Sequence, residues 1–376
     1  MENVRAILST ARRAHKLTTM SALALGLTLG SARSSLADPQ TAHQRQCTLL
    51  EIVAANALPY CVFLAIGVGE YRLRQRAFLA TELLGSGIFA LGFASPARNL
   101  RANSWQLGFQ ASLDGDAAPD SLRTNPDTGR YIAFTYLHSD ASGASYFPVL
   151  DPGPGYGLGI PGIDGGASGI FLPLNPFNIV TDAEYRGAIT WGQASFDTGT
   201  RRDRPGGSDG WSVGIRYSYL DQFETFGGQV PGYGGGFEYQ FGAESQALGA
   251  HVGYHRSWAL GGGDSAGWDS SVSLGGEAGL AYVRAEGDAW LGFSGGLNVV
   301  APSYRMFDES GARPYASVNA SVQSTHRSSG LTLSLGLSYD LRPWGVGFHG
   351  DGTNPFTMEL QTMQAWNVFA GMAVRF

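Results

Sequence analysis

Two stretches set a histidine two residues ahead of a serine: His255-Arg256-Ser257 and His326-Arg327-Ser328-Ser329-Gly330. On an extended strand, positions i and i+2 share a face. An imidazole so placed is positioned to take the proton of the serine hydroxyl and activate it as a nucleophile. These are the catalytic candidates: His255 with Ser257, and His326 with Ser328. No zinc spacing, EF-hand or phosphate-binding loop occurs. In a chain with 54 glycines the Gly-x-Gly texts carry no nucleotide signature. No cofactor and no metal is expected, and the reading leans away from an enzyme.

The elements that would carry these residues are strands. Residues 331–341 alternate strictly: Leu331, Leu333, Leu335, Leu337, Tyr339 and Leu341 oppose Thr332, Ser334, Gly336, Ser338 and Asp340. Residues 211–220 set Trp211, Val213, Ile215, Tyr217 and Tyr219 against Ser212, Gly214, Arg216 and Ser218. Similar alternation marks 103–113, 237–241, 271–280 and 315–322, with fuzzier stretches at 130–138, 186–197, 247–258 and 287–300. Segments of about ten residues, aliphatic at mid-strand and aromatic at their ends, have the length and pattern of tilted strands crossing a bilayer. Only 15% of residues are charged, and the net charge of −6 argues against a nucleic-acid partner.

The last thirteen residues, QAWNVFAGMAVRF, put Trp366, Val368, Ala370, Met372, Val374 and Phe376 on one face and stop on Phe. This resembles the C-terminal insertion signature of Gram-negative outer-membrane β-barrel proteins. The resemblance implies an antiparallel transmembrane β-barrel, delivery by the barrel-assembly machinery, and outer-membrane lipids around it. Residues 1–37 read as a secretory signal: Arg5, Arg12, Arg13 and Lys16, an apolar run at 20–29, then Ser35-Leu36-Ala37 before Asp38. The His-x-Ser pairs in turn resemble the His-x-Ser-Asn core of outer-membrane phospholipases and lipid A deacylases. Trp258 and Ser329 stand where that core has Asn, and Val252 and Tyr254 look lipid-facing, which turns His255 and Ser257 inward. Chance is the better reading of both pairs.

Counting strands back from Phe376 and alternating long outer loops with short inner turns gives about twelve strands. Inner turns fall at 243–246 and 285–287, an outer one at 260–267, and a candidate first strand at 85–94. The barrel is expected over 101–376, with a long outer loop at 139–185 that reads as a surface loop or as a constriction folded into the pore. Residues 38–100 form an N-terminal segment. Within it, the apolar text of 47–94 around Tyr71-Arg72-Leu73-Arg74-Gln75-Arg76 reads as a helical hairpin. Part of it resembles short bacterial membrane-hairpin modules, with Glu70 in place of their Gln. Cys47 and Cys61 are an even pair that either bridges in an oxidising compartment or stays as two apolar thiols.

The inferred lumen face holds Gln106, Gln110, Arg216, Glu238, Gln240, Glu277, Asn298, Asn319, Asp340 and Arg375. It is polar, sparsely charged and of mixed sign. That fits a structural barrel filled by paired side chains or a passive channel for small polar solutes. A barrel binding an extracellular ligand through its outer loops is the alternative, and a lipid-acting hydrolase the third reading. The C-terminal signature makes one expectation testable: deleting Phe376 leaves periplasmic aggregates or degraded chain. Normal membrane levels of the deletion variant, measured by fractionation, would count against the signature.

Overall fold

The computed structural model describes residues 60–73, 81–82, 88–90, 98–112, 128–150, 157–161, 163, 169–172, 179–260, 267–298, 301–326, 331–349 and 357–375. The signal segment, Cys47 and Phe376 lie outside them. Ten antiparallel strands close into a barrel: β1 (Tyr60–Leu73), β4 (Arg98–Ser112), β5 (Thr128–Leu150), β8 (Val180–Arg204), β9 (Gly207–Val230), β10 (Gly235–Ala259), β11 (Trp268–Gly295), β12 (Ser303–His326), β13 (Thr332–His349) and β14 (Thr357–Arg375). The ring closes where β1 pairs with β14, from Cys61 opposite Arg375 to Arg72 opposite Gln364. Four short strands, β2 (Thr81–Glu82), β3 (Ile88–Ala90), β6 (Gly157–Pro161) and β7 (Gly169–Leu172), form a separate sheet.

The transmembrane β-barrel expected from the alternation is the observed fold, with differences in its bookkeeping. The turns expected at 243–246 and 285–287 do not exist. β10 and β11 pair straight through them, Ala243 opposite Gly287 and Gln246 opposite Arg284. Glu244, Glu286 and Asp288 there look like turn residues because that stretch of wall bears a polar outer face. Residues 60–73 are a barrel strand and not part of a helical hairpin. Of 85–94, the described part is Ile88–Ala90, and it belongs to the small sheet, not the ring. Merging two pairs of expected strands and adding β1 in place of 85–94 leaves ten ring strands among the described residues, against the expected count of about twelve.

These strands also fix the rims. One rim, called lower here, carries the start of β1, the end of β14 and the connections 113–127, 205–206, 260–267 and 327–331. Residues 260–267 therefore share the rim of the chain ends, opposite to expectation. Pro205-Gly206 turns β8 into β9 in two residues, with Gly206 at φ +80°. The upper rim carries 74–97, 151–179, 231–234, 296–302 and 350–356.

The outward residues nearest the lower rim are apolar. Val62, Leu64, Ile66 and Val68 on β1, Trp211, Val213 and Ile215 on β9, and Leu333, Leu335 and Leu337 on β13 are all exposed. On the upper part of the wall the outward positions are mixed, with Glu238, Glu286 and Asp308 beside Tyr304 and Met306. An apolar band of this kind matches a hydrocarbon layer, and the polar extension above it matches water. On both faces of the wall, large side chains are seated over glycines. A Cβ at Gly108 would overlap the ring of buried Phe63, and one at Gly192 the ring of Tyr219 on the outer face. Gly108→Val should therefore lower unfolding stability by about 1–3 kcal/mol. Adding Phe63→Ala should restore part of it in urea titrations; a double variant weaker than the sum of the two single changes would refute the seating.

Candidate functional site in the barrel lumen

The sequence period dictates which side chains meet inside. On β9, Ser212, Arg216, Ser218, Leu220, Gln222 and Glu224 point inward. On β10 the inward row runs Phe237, Tyr239, Phe241, Ala243, Ser245, Ala247, His251, His255 and Ser257. The lumen therefore has two halves. Toward the lower rim it is polar; toward the upper rim it is apolar.

In the polar half, Arg216 makes a two-pronged ion pair with Glu277, one prong Nη1 to Oε1 and the other Nη2 to Oε2 at 2.6 Å. His251 Nε2 lies 2.5 Å from Asp197 Oδ1 and 3.8 Å from Glu277 Oε2. Arg342 Nη2 donates to Asp340 Oδ1 at 2.5 Å. Arg216, Glu277, Asp197, Asp340 and Arg342 line a cavity of about 170 Å³, together with His255, Gln106, Gln193 and Asn319. Burying charges is tolerable here because each carboxylate has a cationic or imidazole partner. Arg216 with Glu277 ties β9 to β11, and His251 with Asp197 ties β10 to β8, each linking next-but-one strands along the wall.

Above this layer, Arg342 lies 4.3 Å from the ring centre of Trp191 and 5.3 Å from that of Trp344, while Arg216 lies 5.4 Å from that of Tyr315. Stacking a weakly hydrated guanidinium on aromatic faces lets it end a polar zone and begin an apolar one. Tyr71, Leu100, Ile189, Leu220, Val283 and Met363 complete that layer. Higher still, Phe226, Tyr239, Phe241, Leu291 and Val346 pack together.

Two segments outside the wall proper join this filling. Ile160 of β6 and Ile163 are buried within the upper cluster, and Ile163 N donates to Ser303 Oγ at 3.0 Å. Of the loop expected at 139–185, residues 139–150 and 180–185 belong to β5 and β8, and between them Ile160 and Ile163 pack into the bore as a constriction would. The second segment is the upper part of β13 and β14. Pairing of β12 with β13 stops at Ala316 opposite Leu341, although β12 begins at Ser303 and β13 runs on to His349. Beyond a bulge between Arg342 and Gly345, β13 stays paired with β14 but turns inward. Gln222 Nε2 donates to Val346 O at 2.8 Å, and Val346 N donates to Gln222 Oε1 at 3.1 Å. Ser245 Oγ donates to Trp344 O at 2.6 Å. Gln222 and Ser245 stand on β9 and β10, across the ring from β13. So 342–364, expected as an outer loop, is largely an in-folded hairpin.

The expected lumen residues divide. Gln106, Gln110, Arg216, Glu277, Asn319 and Asp340 point inward. Glu238 and Gln240 do not: they lie on the outer face of β10, and their neighbours Phe237, Tyr239 and Phe241 fill the bore. The rule that aromatics face lipid fails there because that stretch lies above the apolar band. Asn298 is exposed in the turn after β11, not in the lumen. Arg375 ends β14 at the lower rim, and its side chain lies outside the described set. Trp366, Val368, Ala370 and Met372 share the outer face of β14; the side chain of Val374 is also outside the described set. Of the catalytic candidates, Ser257 Oγ pairs with Ser208 Oγ at 2.8 Å inside the lumen, and His255 borders the cavity. His326 faces outward against Trp268, ring centres 5.0 Å apart, and Ser328 lies outside the described residues. Asp197, His251, Gln222, Trp191, Trp344 and Arg342 were not singled out in the sequence. His251 was within reach, since it shares the inward parity of His255.

No protein-family model matches the chain, and no curated protein matches it. Solved structures with a similar fold include the outer membrane protease OmpT from Escherichia coli, at 7% identity and TM-score 0.32, covering 84% of this chain and 96% of that one. The transport unit of the autotransporter AIDA-I from Escherichia coli is similar at 8% identity and TM-score 0.30, covering 84% and 90%. The COG4313 outer membrane channel from Pseudomonas putida F1 is similar at 8% identity and TM-score 0.29, covering 91% and 100%.

The paired charges give a stability test. Arg216→Met leaves Glu277 buried without its main partner and should cost about 3–5 kcal/mol, whereas the double change with Glu277→Met should lie much nearer wild type. Equal losses for the single and double variants in equilibrium unfolding would remove the ion pair from this account.

Proposed function

We propose that this chain is an exported outer-membrane barrel of a Gram-negative bacterium whose lumen is shut at rest, a structural barrel and not a standing pore. Carrying this reading is the filled bore: Trp191, Tyr239, Phe241, Trp344 and Val346 are each at most 2% exposed. A porin-like passage needs a continuous wet lumen, and a bore lined by dry aromatic layers does not provide one. The apolar outer band and the C-terminal strand support the membrane assignment. With the strand end at Arg375 on the periplasmic side, the upper rim, its small sheet and the polar collar face the exterior.

The hydrolase reading loses support, because His255 and Ser257 are enclosed by the wall and His326 lies at the lower rim with its ring against Trp268. A binding role for the upper rim remains the second reading, favoured by the four-stranded sheet built from two of its connections. The decisive measurement is planar-bilayer recording of purified protein that migrates faster unboiled than boiled. Wild type should give no sustained conductance; stable open channels would overturn the closed reading.

A further inference from the structure

The hairpin of residues 342–363 is bound to the lumen differently from the rest of the wall. Every other neighbouring strand pair is a long ladder; above Leu341 the hairpin has no pairing with β12, and above Gln364 none with β1. What holds it inside is packing and a few side-chain hydrogen bonds to its backbone. Gln222 grips both polar groups of Val346, Ser245 grips the carbonyl of Trp344, and Glu309 Oε2 accepts from Leu360 N at 2.9 Å. Its root is built to bend. Pro343 supplies no N–H, the register slips between Arg342 and Gly345, and Gly347 passes so close to Gln361 that a Cβ would overlap it.

The closed state also leaves polar atoms poorly served. Arg342 Nε and Nη1, Trp344 Nε1, Trp191 Nε1 and Tyr315 OH are buried with no protein hydrogen-bond partner. All cluster about the hairpin root, and all would be hydrated if the hairpin left. Directly beneath lies the polar cavity with its two arginines, three carboxylates and His255.

We propose that this hairpin is a removable plug, and that the barrel without it passes small polar solutes with little preference for either sign of charge. The inference rests on the closed reading above. Lining charges of both signs set the solute class: Arg216 and Arg342 are offset by Glu277, Asp340 and Asp197, so no single-sign field excludes cations or anions.

Arg342 and Met363 are directly opposite each other, so a two-residue Asn-Gly turn can join them in a variant lacking 343–362. A second variant, Gln222→Ala with Ser245→Ala, keeps the hairpin and removes three of its grips. Both are recorded in planar bilayers in a potassium chloride gradient, beside wild type. Heat-modifiable deletion variant should show discrete conductance steps, with a reversal potential near zero, and the grip variant brief openings that wild type lacks. A heat-modifiable deletion variant as silent as wild type overturns the plug. Should that variant fail to fold, the grip variant decides: openings support the plug, and silence overturns it. Strong anion or cation selectivity overturns the solute class. Sustained wild-type conductance would instead defeat the closed reading itself, whatever the hairpin does.

Discussion

In hydrocarbon an unpaired backbone N–H or C=O has no water to turn to, so a spanning sheet must have no edge. The pairing of β1 with β14 meets that demand, and the rest of the structure follows from it. Once the ring is closed, period-2 alternation sends one set of side chains to lipid and the other into a bore of fixed width. The longest parting of neighbouring wall strands among the described residues is between β12 and β13, above Ala316 and Leu341. Outward residues of β12 at that level are Tyr304, Met306, Asp308 and Ser310, above the apolar run of Val318 and Val322.

Width then dictates filling. Ten strands enclose a bore that large side chains can span, and the two halves solve this differently. Toward the lower rim, arginine, carboxylate and histidine reach along the wall to next-but-one strands and neutralise one another. Toward the upper rim, aromatics interlock with an inserted hairpin and with Ile160 and Ile163. Arg342 marks the boundary, its charge held by Asp340 and its flat faces by Trp191 and Trp344. Moving that boundary by one residue would bury a charge without a partner or wet an aromatic layer.

What was legible in the sequence was what period 2 encodes. The barrel, the apolar band and the inward set Gln106, Arg216, Glu277, Asn319 and Asp340 all follow from alternation over the lower part of each strand. The same pattern misleads where its physical cause changes. At Phe237, Tyr239 and Phe241 the outer face meets water, so the apolar residues belong inside and Glu238 and Gln240 outside. Turn-like text at 243–246 and 285–287 has the same origin: polar residues on a wall that has left the lipid. The β1 segment was hidden for the opposite reason. Its small inward residues, Ala65, Gly67 and Gly69, leave no polar alternation, so a strand reads as a continuous apolar run. Long-range ties such as Gln222 to Val346 leave no local trace at all, since they depend on which strands end up opposite each other across the ring.

The energetics of the in-folded hairpin come from terms of the same size. Burial of an aliphatic or aromatic side chain such as Trp344, Val346, Met358 or Met363 favours the closed state by roughly 1.5–3 kcal/mol each. Each donor buried without a partner opposes it by about 1–3 kcal/mol, and Arg342 contributes two such groups. Stacking of its guanidinium on two indole rings returns part of that cost. The wall strands also hold buried polar atoms without partners, Arg216 Nε and Tyr315 OH among them, but long ladders hold those strands in place. The balance is thus closest at the hairpin, whose upper part pairs with neither β12 nor β1. A fold divided in this way can change the state of its bore without risking the closure that keeps it in the membrane.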